Sequence, residues 1–245
     1  MRDQYLQAMG ITRWVRRSHD LAPIASQVTE PVPEQALAVK ETIELSPVQT
    51  PDSHNVDALD WPALERVVSN CNACDLHSTR SQTVFGSGDL NADWLIIGEA
   101  PGADEDREGQ PFVGRAGQLL TAMIGAMGMK REQIFITNIL KCRPPQNRDP
   151  DVEEVMACQP YLRRQIELLQ PKIILAVGRI AAQNLLNTHE TMKAMRGNPY
   201  TYADTGIPVV VTYHPAYLLR SPLEKRKAWQ DLQMAMRIYD GEALQ

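Results

Sequence analysis

From residue 61 onward, short apolar runs alternate with stretches whose apolar residues recur at helical spacing. The runs are Trp94-Leu95-Ile96-Ile97, Ile134-Phe135-Ile136, Ile173-Ile174-Leu175-Ala176-Val177 and Val209-Val210-Val211. Helical patterns fall between them, at about 115–127, 151–169 and 179–187, with a last helix over about 223–239 that carries Trp229, Leu232, Met236 and Tyr239. Nearly continuous apolar runs predict strands buried on both faces, and helices between such strands predict a parallel sheet. The expected fold class is therefore α/β, a three-layer α/β/α domain around a central parallel sheet.

In open α/β sheets ligands bind beyond the carboxyl ends of the strands, and the unusual residues fall there. The first run leads into Gly98-Glu99-Ala100-Pro101-Gly102, the second into Thr137-Asn138, the third into Gly178-Arg179, and the fourth through Thr212-Tyr213 into His214-Pro215. A glycine loop, an amide and an imidazole are thus expected at one crevice. The loop is neither a P-loop nor a dinucleotide fingerprint, yet its backbone N–H groups can still approach a ligand closely. The acid run Ala103-Asp104-Glu105-Asp106-Arg107-Glu108 follows, read either as a solvated loop or as the source of a carboxylate that positions a water. After His214 come Leu218-Leu219 and then Arg220, Lys225, Arg226 and Lys227. This cluster reads as a basic, solvated helix start near the expected crevice.

Composition changes this picture mainly at the front of the chain. The 245 residues suit one sizeable domain plus appendages. The net charge of −5 is unevenly placed: residues 1–20 hold four Arg and two Asp, while residues 21–60 hold one Lys against seven acids. The large domain is then near neutral, which leaves room for a local basic face. Residues 20–60, with scattered prolines, many acids and no aromatic residue, are expected to be a disordered, self-repelling linker. Residues 1–19 gather Tyr5, Leu6, Met9, Ile11, Trp14, Arg16 and Arg17, a short apolar and basic peptide that either docks on a partner or packs on its own domain. No run approaches the ~20 apolar residues of a membrane helix, and no secretory apolar segment follows Met1-Arg2-Asp3. A cytoplasmic, membrane-free protein is expected. In that compartment Cys71, Cys74, Cys142 and Cys158 are metal ligands or buried thiols rather than disulfides. Cys71 and Cys74 form a C-x2-C knuckle, but Cys142 and Cys158 have fifteen residues between them, so a two-knuckle zinc ribbon fits poorly. Iron–sulfur, zinc and four buried thiols all stay open on spacing alone.

Six ordered segments carry a family resemblance: Cys71-Asn72-Ala73-Cys74-Asp75-Leu76-His77, Val84-Phe85-Gly86-Ser87-Gly88, Gly98–Gly102, Gly109-Gln110-Pro111-Phe112-Val113-Gly114-Arg115-Ala116-Gly117, Thr137–Pro145 with Asn147-Arg148, and His214–Arg220. Together they resemble the family 4, iron–sulfur uracil-DNA glycosylases over residues 61–245. The resemblance implies hydrolysis of the N-glycosidic bond of flipped-out uracil in DNA, leaving an abasic site, by a monomeric domain. It implies a structural 4Fe-4S cluster on Cys71, Cys74, Cys142 and Cys158. Phe112 would stack on uracil, Asn138 would read its edge, Gly98, Glu99 and Ala100 would line the pocket, and His214 would hydrogen-bond the base O2. Leu218 and Arg220 would contact DNA, the leucines filling the gap left by the flipped base. Better-known branches place an Asp in the glycine loop where this chain has Glu99-Ala100. Glu105 is the preferred substitute for positioning the water, with Glu99 and Asp106 behind it.

A second resemblance concerns Arg2–Trp14, which is similar to the N-terminal peptide of the psi subunit of bacterial DNA polymerase III. It implies docking of residues 1–19 on clamp-loader subunits. Three readings follow: a glycosylase tethered to the replisome, a psi-like structural subunit with a non-catalytic domain, and a zinc-binding nucleic-acid module.

Overall fold

A computed structural model describes residues 56–242. The docking peptide, and the linker up to residue 55, lie outside the described residues. Residues 56–60, expected to end the linker, already belong to the domain. Val56–Ala58 forms a 3-10 turn, Leu59 is buried, and the Asp60 carboxylate accepts from Ala63 N at 2.9 Å to cap the first helix.

Among the described residues one six-stranded sheet forms the middle layer. Its strands are β1 (Ser87–Gly88), β2 (Trp94–Gly98), β3 (Phe135–Asn138), β4 (Ile173–Val177), β5 (Pro199–Thr201) and β6 (Pro208–Thr212). The helices are α1 (Trp61–Ser69), α2 (Ala103–Glu108), α3 (Arg115–Ala126), α4 (Val152–Leu169), α5 (Arg179–Leu186), α6 (Met192–Met195), α7 (Pro215–Arg220) and α8 (Lys225–Tyr239). Strand order is β1-β3-β2-β4-β6-β5. The four central strands pair in parallel, as their apolar runs predict, while β1 and β5 close the edges antiparallel. Those edge strands are too short to carry a readable period.

Every residue of β2 is buried, and its side chains alternate between two cores. Trp94 and Ile96 face Leu120, Ile124, Leu232 and Ala235 of α3 and α8. Leu95 and Ile97 face Leu162, Ile166, Ala181 and Leu185 of α4 and α5. The chain runs from β2 to β3 on one side and then crosses to β4 on the other. The switch point therefore lies at the carboxyl end of β2, where open sheets offer a crevice.

Two expectations change. The acid run is the helix α2, and its Asp106 is buried, both oxygens accepting from Ser81 N at 2.9 and 3.1 Å. Leu218, expected to reach DNA, lies on the inner face of α7 and is 1% exposed in the core with Leu120 and Leu232. A side chain held there cannot enter a duplex, whereas Leu219 and Leu223 stand exposed nearby. Among the described residues no helix is long and apolar enough to cross a membrane.

Candidate active site

The β2 switch point opens into a cavity of about 420 Å³. Its lining includes Glu99, Ala100, Glu105, Phe112, Asn138, His214 and Arg220, so residues far apart in sequence converge as the strand ends predict. Gly98, Leu218 and the four cysteines are outside this lining.

Gly98 and Asn138 are register partners across β2 and β3. A Cβ on Gly98 would strike Asn138 Oδ1 and stand 2.6 Å from Phe112 Cζ. Glycine here lets an amide and an aromatic ring share one wall. The loop after β2 is tied to β3 by Ile139 N donating to Gly98 O at 2.9 Å and Leu140 N donating to Glu99 O at 3.0 Å. Asn138 is 2% exposed, and its Oδ1 has no hydrogen-bond partner within the protein. Such orphaned buried acceptors are uncommon and mark places where a ligand or water completes the set.

Phe112 adopts a left-handed backbone with φ of 53°, which a bulky residue rarely does. Glu105 holds the bend. Its Oε1 accepts from Val113 N at 2.9 Å and Gly114 N at 3.1 Å, and its Oε2 accepts from Gly102 N at 3.1 Å. This carboxylate fastens the two loops that frame the cavity. His214 stands beside Phe112, its ring centroid 5.6 Å from that of Phe112 at a 31° tilt.

His214 follows β6 and caps α7, its Nδ1 accepting from Ala216 N at 3.2 Å. An accepting Nδ1 assigns the proton of the neutral ring to Nε2, leaving a donor for the cavity. Burial, reinforced by the Arg220 charge, pushes the imidazole down to about 4, with Glu105 opposing. The ring is therefore neutral at pH 7. Glu99 behaves in the opposite sense. Burial and the nearby Asp149 carboxylate push its pKa up to about 7, against the pull of Arg179. Asn147 and Arg148 also line the cavity. The sequence marked them only as part of a motif, and Arg148 is held by a two-pronged ion pair with Glu154 at 2.6 and 2.9 Å.

A second assembly adjoins the cavity at Ala100, which lines it and also packs, as Cys74 does, against the buried cluster of Leu76, Leu140, Cys142 and Cys158. Cys142 and Cys158 are buried, and Cys71 and Cys74 half-buried. Their charges act on one another: Cys74 responds to Cys71, Cys142 to Cys74 and Cys71, and Cys158 to Cys142 and Cys74. Burial pushes the Cys158 thiol up to about 12 and raises Cys142 and Cys74. Three thiols that resist ionisation by themselves, beside a fourth cysteine, suit a cationic centre that stabilises thiolates. Arg80 donates to Cys142 Sγ at 3.0 Å, and Tyr161 Oη to Cys71 Sγ at 3.3 Å. Such outer-shell donors accompany thiolate-bound metal groups. Among the described residues no three potential ligands close to single-ion spacing. Four cysteines gathered in one place have the donor chemistry of a thiolate-held metal centre.

Fold and cavity together define a doubly wound α/β protein with a pocket of mixed polar and apolar lining at its switch point. Residues 85–233 match the family described as the uracil DNA glycosylase superfamily, and the chain belongs to that superfamily. It is 43% identical over 182 residues to a type-4 uracil-DNA glycosylase of Pyrobaculum aerophilum, covering 72% of this chain and 93% of the relative. A type-4 enzyme of Archaeoglobus fulgidus is 45% identical, covering 64% of this chain and 82% of its own. One from Thermotoga maritima is 43% identical, with coverages of 63% and 80%.

Proposed function

We propose that this chain is a uracil-DNA glycosylase that hydrolyses the N-glycosidic bond of uracil flipped out of DNA, leaving an abasic site. The observation that carries the reading is the convergence of Phe112, the unpartnered Asn138 Oδ1 and the Nε2 donor of His214 on one cavity. A base inside a duplex is unreachable, so it must be extruded into such a pocket. Stacking on Phe112 suits a flat ring. The Asn138 amide offers an acceptor and donors in one plane, matching the N3–H and an exocyclic oxygen of uracil. Cytosine has no N3–H, so Oδ1 would face a lone pair there.

Breaking the bond leaves negative charge on the departing uracil and positive character on the sugar. A neutral His214 aims Nε2–H at the O2 region, where charge develops. Such a donor favours the transition state over the ground state. The DNA phosphates help offset the sugar's charge.

Glu99 is the better water-positioning group, which reverses the sequence preference for Glu105. Both Glu105 oxygens already accept backbone N–H groups, and Asp106 is occupied with Ser81. Glu99 lines the cavity and is the carboxylate whose proton affinity burial has shifted. Arg220, also at the cavity, and the exposed Leu219 and Leu223 form the DNA-facing rim. Leu223, at 92% exposure, replaces Leu218 as the candidate to fill the vacated stack.

Cys71, Cys74, Cys142 and Cys158 would hold a 4Fe-4S cluster, which supplies a rigid cross-link between α1, the β3 exit and α4. Residues 1–19 would tether the domain to clamp-loader subunits through the linker. Full-length protein should recover those subunits in a pull-down and Trp14→Ala should not; equal recovery rejects the tether. The enzymatic reading is tested with single- and double-stranded uracil-containing DNA followed by alkali. Strand cleavage in wild type, lost in His214→Ala and Asn138→Ala, supports it. An inert cluster-loaded wild type rejects it.

A further inference from the structure

Behind Asn138 lies a buried cation that the excision chemistry leaves unused. Lys141 follows the end of β3 by three residues and is 1% exposed. Its Nζ donates to Thr137 Oγ1 at 2.6 Å, Gln165 Oε1 at 2.7 Å and the Asn138 carbonyl at 2.8 Å. The two side-chain partners are themselves oriented. Thr137 Oγ1 and Gln165 Nε2 both donate to the Phe85 carbonyl, each at 2.9 Å. Gln165 Oε1 and a lone pair of Thr137 Oγ1 are therefore left to face Lys141 as acceptors. Three acceptors around one nitrogen require three N–H donors, which the ammonium has and the neutral amine lacks.

A buried ammonium needs a compensating negative charge. Burial pulls the Lys141 pKa down to about 7, and the charges that oppose that shift are those of Cys158 and Cys142. Arg80 approaches the same cysteine set, with one guanidinium nitrogen on Cys142 Sγ at 3.0 Å and the other on the Cys71 carbonyl at 2.7 Å. An iron–sulfur core held by four thiolates carries net negative charge, which two flanking cations would offset.

We infer that Lys141 is the internal counter-charge of the cysteine-held cluster and, through its bond to the Asn138 carbonyl, the strut that sets the base-reading amide. This rests on the cluster reading given above. Lys141 is then a positioning residue that links two assemblies. Without it the cluster loses a compensating charge. Without the cluster the ammonium is stranded, and the strand end that carries Asn138 loosens.

The test uses the full-length, cluster-loaded protein. Lys141→Met removes the charge at similar length. Gln165→Glu keeps the ammonium but sets a carboxylate against it, and it carries the charge test if Lys141→Met does not fold. Lys172→Met, an exposed lysine at the opposite end of β4, is the control. Loss of visible absorbance to a ferrous-iron chelator should be at least tenfold faster in both variants and unchanged in the control. Binding of a duplex with non-cleavable 2′-fluoro-deoxyuridine should weaken in Lys141→Met. That further loss should vanish when Asn138 is already alanine, since coupled residues are not additive. Unchanged iron release in both variants overturns the counter-charge. An equal binding loss with and without Asn138 overturns the strut. A colourless, iron-free wild type overturns the cluster reading and this inference together, whereas a brown wild type inactive on uracil leaves the counter-charge standing.

Discussion

Asn138 and Lys141 leave the same strand end three residues apart, yet their polar atoms meet opposite conditions. Toward the cavity, Asn138 Oδ1 has no partner within the protein, and His214 commits only its Nδ1 to the fold. Behind it, Lys141, Thr137, Gln165 and the Phe85 carbonyl saturate one another. A saturated buried network is rigid, because moving any member strands another. An unsaturated wall is a surface awaiting a ligand. The fold puts the two back to back, so that the open side is held by the closed one.

The comparison breaks first on its open side. His214→Ala removes the donor that faces the leaving base and should lower kcat by about a hundred- to a thousandfold, ~3–4 kcal/mol in barrier. Single-turnover excision kinetics measure this, and the lost cap of α7 should cost about 1 kcal/mol of stability besides. On the closed side the effect should fall on stability. Gln165→Leu leaves a buried charged donor without its acceptor and should cost about 1–3 kcal/mol, read from the denaturant midpoint.

A pH series sharpens the contrast between the two ionisable walls. With Glu99 near 7 and His214 near 4, the acidic limb of the rate profile belongs to Glu99. Activity should rise as pH increases through about 7, and Glu99→Gln should abolish that limb along with most of the rate. Glu99 is raised above its ordinary 4.5 in the fold. Its contribution to stability is therefore fully present below about 4.5 and lost as pH rises through about 7. Wild type should lose stability relative to Glu99→Gln across that window, as calorimetry at several pH values would measure. The smallest effect belongs to the rim. Arg220→Gln should weaken binding to uracil and undamaged duplexes alike and reduce the salt slope by about 1.

Much of this architecture is legible in the sequence. β2, β3, β4 and β6 are readable because strands buried on both faces must be apolar throughout. Asn138 and His214 are readable because polar residues that end such runs fall at one edge of a parallel sheet. The roles behind that edge are hidden for physical reasons. Glu105 sits in an acid run that looks solvated, and nothing local says that three backbone N–H groups from two loops come to its oxygens. Leu218 and Leu219 are equivalent on paper, and the turn of a six-residue helix decides which enters the core. A lysine three residues past the end of a strand is ordinarily exposed. Burial of Lys141 follows from Gln165, a contact across 24 positions that no local pattern carries.

The most direct measurement is the release of free uracil from a single-stranded and a duplex oligonucleotide, each with one deoxyuridine, by cluster-loaded wild type and by His214→Ala and Asn138→Ala. The account predicts stoichiometric uracil and an alkali-labile abasic site with wild type, and losses of about a hundredfold or more in both variants. Intact oligonucleotides after prolonged incubation with wild type, or undiminished release by the variants, would contradict it.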